Sequence, residues 1–162
     1  MLRHRSSRIF CHPGKVDRDL AIAEHPAKVI AHVDGLSASA ASFLMLAADR
    51  IVASDGAFVM VHNPWSLTVG DADEHTATAT LLAKIGGSMA AQYAKRSGKT
   101  VDEAKAWMDA ETWFSADEAK EAGLVDEVVE TSAATSASTW NLSAYQNAPA
   151  ALIERVAAMP VA

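Results

Sequence analysis

The stretch AKVIAHVDGLSASAASFLMLAADRIVASDGAFVMVH, residues 27–62, decides the fold. Its first eight residues, 27–34, form a short β-rich run stopped by Gly35, which at this length reads as a buried strand. Ser37, Ala38, Ser39, Ala40, Ala41 and Ser42 follow, then the apolar Phe43, Leu44, Met45 and Leu46, and together they read as a helix that ends near residues 47–50. Two further apolar runs, 51–54 and 57–62, are separated by the turn dipeptide Asp55-Gly56. Strand, helix and strand in that order imply a right-handed parallel crossover, and so an α/β layer architecture.

Position within this unit singles out two residues. Ser39 falls at the strand-to-helix junction, where unpaired N–H groups and the positive end of the helix dipole favour a developing anion. The backbone N–H of Ala40, one residue on, is a candidate oxyanion donor. His62 ends its strand just before Asn63-Pro64 breaks it. Parallel sheets gather functional groups at the carboxyl ends of their strands, so Ser39 and His62 are expected at one edge. Taken singly, Ser39 is a helix N-cap and His62 a strand-end imidazole bonded to a carbonyl. Taken together they make a nucleophile and its base. A third member must be a carboxylate that fixes the imidazole tautomer, and Asp109 and Glu111 in MDAETWF are the candidates.

Outward from this core, 63–75 reads as a loop and 76–97 as a long Ala-rich helix with Leu81, Leu82, Ile85, Met89 and Tyr93 on one stripe. Gly86-Gly87 marks a kink or a close contact within it. Thr100 with Glu103, and Ser115 with Glu118, are capping boxes that open two more helices, the second closed by Gly123 before the strand-like LVDEVV. The run TSAATSAST beyond residue 130 is low-complexity, and PAALIERVAAM has one or two turns of amphipathic helix. The expected organisation is a divergent segment 1–26, a folded domain 27–130 and a linker and tail 131–162.

Composition narrows the function. A formal charge of −6, with no basic cluster beyond the first 18 residues, argues against a nucleic-acid partner. No uncharged apolar run of membrane-spanning length and no secretory core appear, so a cytoplasmic protein is expected. One cysteine, Cys11, excludes an internal disulfide, and neither His62 with His75 nor DADEH has metal-ligand spacing. No metal or other cofactor is expected.

DGLSASAAS, FVMVHNP and MDAETWFSADEAKEAGLVDEV, in that order, resemble the proteolytic subunit family of the Clp protease, particularly its phage and prophage branch associated with head maturation. The resemblance implies the Clp-protease/crotonase-like fold and serine endopeptidase activity, with Ser39 as nucleophile, His62 as general base then acid, and Asp109 as orienting carboxylate, Glu111 being the alternative. It also implies a handle helix over 68–97, a homo-oligomeric ring, polypeptide substrates and a separate ATPase unfoldase, since no G-x-x-x-x-G-K-[ST] occurs here. The family's Ser-Pro-Gly-Gly turn, which supplies an oxyanion N–H, is matched by HPGKV: Pro13 and Gly14 are present, but Lys15 stands at the second glycine. The strands that precede this turn in the family have no counterpart, which implies a truncated or divergent copy. Losing an oxyanion donor costs about 10² to 10³ in rate. Two other readings remain open at this stage: a catalytically silent ring subunit or scaffold, and a crotonase-type acyl-CoA enzyme, for which ADRIVAS is a familiar stretch.

Overall fold

The computed structural model describes residues 18–130, 142 and 145–157. Pro13, Gly14, Lys15 and the TSAATSAST run lie outside the described residues.

After a short helix α1 (Arg18–Ala23), the quoted stretch folds as strand β1 (Ile30–Val33), strand β2 (Leu36–Ala38), helix α2 (Ala40–Met45), strand β3 (Arg50–Ser54) and strand β4 (Phe58–Val61). Helices α3 (Ala72–Ser97) and α4 (Val101–Asp109), strand β5 (Thr112–Ser115), helix α5 (Ala116–Glu121) and strand β6 (Glu127–Val129) follow, and helix α6 (Ala150–Ala157) is the last element. The strands form two sheets. In the first, β1, β3 and β6 lie side by side and all parallel; in the second, β4 pairs parallel with β2 and antiparallel with β5. The chain is therefore a mixed α/β protein built on parallel strands, as the strand-helix-strand order requires.

The chain changes sheet at Asp34-Gly35. Instead of running straight from β1 into the helix, the chain turns there and adds three residues, Leu36–Ala38, to the second sheet, with the Gly35 carbonyl accepting from Phe58 N–H at 2.7 Å. The small residues of SASAAS thus divide between a strand and a helix. β1 is also less buried than its apolar composition suggests: it pairs only with β3 among the described strands, and Val33 alone of its residues is buried.

Ile51, Val59, Val61, Tyr93, Met108 and Leu124 fill the core shared by the sheets and the helices. Helix α3 begins at Ala72, four residues before the expected start, because the Asp71 carboxylate accepts from the N–H groups of Asp73 and Glu74 while Glu74 reaches back to the Asp71 N–H. The helix runs unbroken through Gly86 and Gly87, and a Cβ on Gly86 would sit 3.5 Å from the Pro64 ring, an ordinary contact. The capping boxes Thr100–Glu103 and Ser115–Glu118 form as the sequence specifies. Arg50 pairs with Glu127, and Asp126 pairs with Arg96 while accepting from Ile51 N–H at 2.7 Å, which ties β6 into its sheet.

Gly123 closes α5 at φ 78°, and a Cβ there would lie 2.7 Å from the Ser97 carbonyl oxygen. Gly98 has a similar φ of 71° but open space around it. Gly98→Ala should therefore cost only the left-handed penalty of about 1–2 kcal/mol. Gly123→Ala should cost more, because the α3–α4 junction must also shift, and the two urea midpoints measure the difference.

Candidate active site

Ser39 joins β2 to α2, and the two elements leave it little choice of backbone. Its N–H donates to the Met60 carbonyl at 3.1 Å, as if it were one more residue of β2, while its own carbonyl accepts from Phe43 N–H at 3.1 Å as the first acceptor of α2. Satisfying both bends the residue to φ 57°, ψ −122°. A non-glycine residue held there carries strain of order 1–3 kcal/mol, and such residues concentrate at functional sites. The side chain makes no capping hydrogen bond. It points instead at His62, with Oγ 2.7 Å from Nε2.

Ser42, three residues after Ser39, supports the turn from within the core. Its fully buried hydroxyl bonds to the Ser39 carbonyl at 2.8 Å, the Met60 carbonyl at 2.7 Å and the Tyr93 hydroxyl at 2.9 Å. These are the two carbonyls that define the strained turn, so Ser42 pins it from below, with Tyr93 of α3 behind it. Burial pushes the Tyr93 phenol up to about 12, against the opposing effect of its bond to Ser42, and the group stays neutral. The sequence signal was present: a serine on the inward side of a helix among Phe43 and Met45. Ser37 is also buried, but its hydroxyl reaches only the Met45 sulfur at 3.4 Å.

His62 follows β4, the neighbour of β2 in the same sheet, which explains why residues 23 apart in sequence meet. Its ring is half-buried. Burial disfavours the imidazolium and lowers its pKa below the ordinary 6.5, partly opposed by the negative charge of Glu111.

The two carboxylates expected near the site have different surroundings. Asp109, the last residue of α4, is exposed and accepts from Asn63 Nδ2 at 2.8 Å and from Lys105 Nζ at 3.0 Å. The Asn63 bond and then Lys105 hold its carboxyl below the usual range, and none of its contacts is with His62. Glu111 lies between α4 and β5 at φ 49°, and it and Ser39 are the only non-glycine residues with positive φ among those described. Its carboxylate accepts from Asn147 N–H at 2.8 Å, Gln146 N–H at 3.2 Å and Trp113 Nε1 at 3.4 Å. Burial alone would raise the Glu111 carboxyl, but these donors and the nearby imidazole outweigh it and lower it. The donors on residues 146 and 147 were missed because nothing in the sequence assigns the tail to the site.

Ala40 is exposed at the first turn of α2, next to the Ser39 hydroxyl. Among the described residues no three His, Cys, Asp or Glu side chains gather as a metal site would need, and no helix is long and apolar enough to cross a membrane.

An α/β chain that holds a serine in a strained strand-to-helix turn against a strand-end histidine has the makings of a nucleophilic hydrolase. The family model for Clp protease matches residues 9–132, and the chain belongs to that family. It is similar to an ATP-dependent Clp protease proteolytic subunit of Chlorella vulgaris, 35% identical over 96 residues, which is 58% of this chain and 48% of that protein. It is also similar to ATP-dependent Clp protease proteolytic subunit 1 of Streptomyces coelicolor, 33% identical over 101 residues, 61% of this chain and 46% of that one. The chain spans about half the length of these relatives.

Ser42→Ala should destabilise the protein by about 1–3 kcal/mol, because it leaves buried polar partners unsatisfied. Ser37→Ala, which breaks only a weak contact to sulfur, should cost under about 1 kcal/mol on the same scale. Chemical denaturation distinguishes the two, and equal costs would show that the Ser42 network does not hold the turn.

Proposed function

We propose that this chain is a serine endopeptidase of the Clp proteolytic-subunit type, working through Ser39, His62 and Glu111. The observation that carries the reading is the 2.7 Å contact between the Ser39 hydroxyl and His62 Nε2 at the start of α2. His62 takes the hydroxyl proton as Ser39 Oγ attacks the carbonyl carbon of a peptide bond. The resulting oxyanion faces the Ala40 N–H, where the helix start favours negative charge. His62 then returns its proton to the amine nitrogen as the C–N bond breaks, leaving an acyl group on Ser39. Water, deprotonated by His62, cleaves this ester and restores the hydroxyl. Gly14 remains the proposed second oxyanion donor by resemblance alone.

Glu111 replaces Asp109 in this reading. Its charge acts on His62, and it shares with Ser39 the strained backbone common at functional sites, whereas Asp109 is exposed, pairs with Lys105 and is not among the charges that act on His62. Glu111 accepts no hydrogen bond from His62 at rest; such bonds often tighten only when substrate binds. An acyl-CoA enzyme or a silent scaffold would have no use for the strained Ser39 and its bond to His62.

Assembly into a ring is the second part of the proposal. Trp65, Leu67 and Val69 before α3, and Leu81 and Ile85 on it, are all exposed, from 41% for Ile85 to 88% for Val69. An apolar surface of this kind on a handle helix supports pairing with a second copy. Resemblance to the phage and prophage branch supports a role in head maturation, on polypeptides delivered to the ring by a separate ATPase.

A fluorophosphonate probe should label Ser39 in the native protein and nothing in Ser39→Ala. The labelling rate should fall with acid at a midpoint below 6.5, because burial keeps His62 neutral to lower pH. Glu111→Gln should slow labelling by up to about 10⁴, the scale set by loss of a tautomer-fixing acid, and Asp109→Asn should leave it within a few-fold. The reverse pattern would return the role to Asp109, and no label on Ser39 would end the peptidase reading. Light scattering at micromolar concentration should report an oligomer that Leu81→Lys with Ile85→Lys dissociates; a native monomer would remove the handle.

A further inference from the structure

Residues 145–147 of the tail contact Glu111, Ala110, His62 and Trp113. The backbone N–H groups of Gln146 and Asn147 both donate to the Glu111 carboxylate, and the Asn147 side-chain amide donates to the Ala110 carbonyl at 3.0 Å. The Tyr145 ring stands edge-on to His62, with centroids 6.0 Å apart, and edge-on to Trp113 at 5.4 Å. Each contact falls on Glu111, on a residue adjoining its strained turn, or on His62. Leu142 and Leu152 are buried on either side of this segment, which anchors it.

We propose that residues 145–147 are a positioning element of the site, the backbone of 146–147 clasping Glu111 while the Tyr145 ring shields and orients the His62 imidazole. The inference rests on the Ser39–His62–Glu111 reading. Two charge-assisted hydrogen bonds from backbone N–H groups fix a carboxylate more tightly than a flexible side chain would, and they keep it ionised. Covering one side of His62 removes water that would otherwise solvate it, consistent with its lowered pKa. The groups that face His62 are the Glu111 charge and the neutral hydroxyl-bearing Ser39 and Tyr145.

Tyr145→Ala in the full-length chain should uncover His62, and Tyr145→Phe, which keeps the ring, should behave as the native protein. Among histidines, diethyl pyrocarbonate acylates only the neutral, accessible imidazole, and peptide mapping reads His62 apart from other acylated side chains, with or without peptidase activity. Tyr145→Ala should raise the rate at His62 severalfold at pH 8 and move its midpoint up toward 6.5. Unchanged rate and midpoint would overturn the proposal. Asn147→Pro deletes the 2.8 Å backbone donor together with the side-chain bond to the Ala110 carbonyl, and with unchanged circular dichroism it should slow Ser39 labelling by about 10- to 100-fold, the cost of misplacing a supporting group. Faster labelling in either variant would make the tail an inhibitory cover and overturn the positioning role. If the native protein takes no fluorophosphonate, the peptidase reading fails, and the carbethoxylation data still decide whether the tail covers His62.

Discussion

The backbone of Ser39 is the constraint on which the rest of the site depends. One residue must end a parallel strand and begin a helix without an intervening loop, and its N–H and carbonyl are claimed by Met60 and Phe43. The φ of 57° that results would relax if either claim weakened. The cost, of order 1–3 kcal/mol, is offset by hydrogen bonds already made in the sheet and helix and by the buried Ser42–Tyr93 pair. What the strain secures is direction: the hydroxyl leaves the capping position that a serine at a helix start ordinarily takes and comes within hydrogen-bonding distance of His62.

A second non-glycine residue with positive φ stands at another element junction. Glu111 also takes a positive φ at an abrupt junction, here from helix α4 to strand β5, and β5 lies antiparallel beside the strand that leads to His62. Ser39 and Glu111 thus both stand at element junctions, and the sheet order β2, β4, β5, with Val61 paired to Thr112, brings Ser39, His62 and Glu111 to one edge of the second sheet. Tyr93 links this arrangement to α3, the helix whose outer apolar residues remain exposed.

Much of the fold was legible because it rests on local chemistry. The capping boxes at Thr100 and Ser115, the stop at Gly123 and the strands around Asp55-Gly56 are short-range signals, and each forms where the pattern puts it. The meeting of Ser39 with His62 was legible from their places at a strand-to-helix junction and at a strand end, although the strand beside β4 that carries Ser39 is β2 and not the 27–34 run. Strand β2 was hidden because Leu36-Ser37-Ala38 is too short to show a period and is made of residues that also suit a helix start. The start of α3 was misplaced because Asp71 lies within an acidic loop-like run, where its cap is hard to tell from a solvated charge. Spacing cannot show that the chain after α4 takes a left-handed φ at Glu111 while Asp109 stays exposed beside Lys105. The contribution of residues 145–147 depends on contacts more than 30 residues away in sequence, for which no local pattern exists.

If the strained turn holds Ser39 and His62 as a single reactive unit, the two must react together. A peptidyl chloromethyl ketone tests it most directly: serine adds to the ketone, and the histidine held beside it displaces chloride and is alkylated at Nε2. Peptide mass mapping should find stoichiometric alkylation of His62 in the native protein and almost none in Ser39→Ala. Equal alkylation of His62 in both proteins, or none in either, would contradict it.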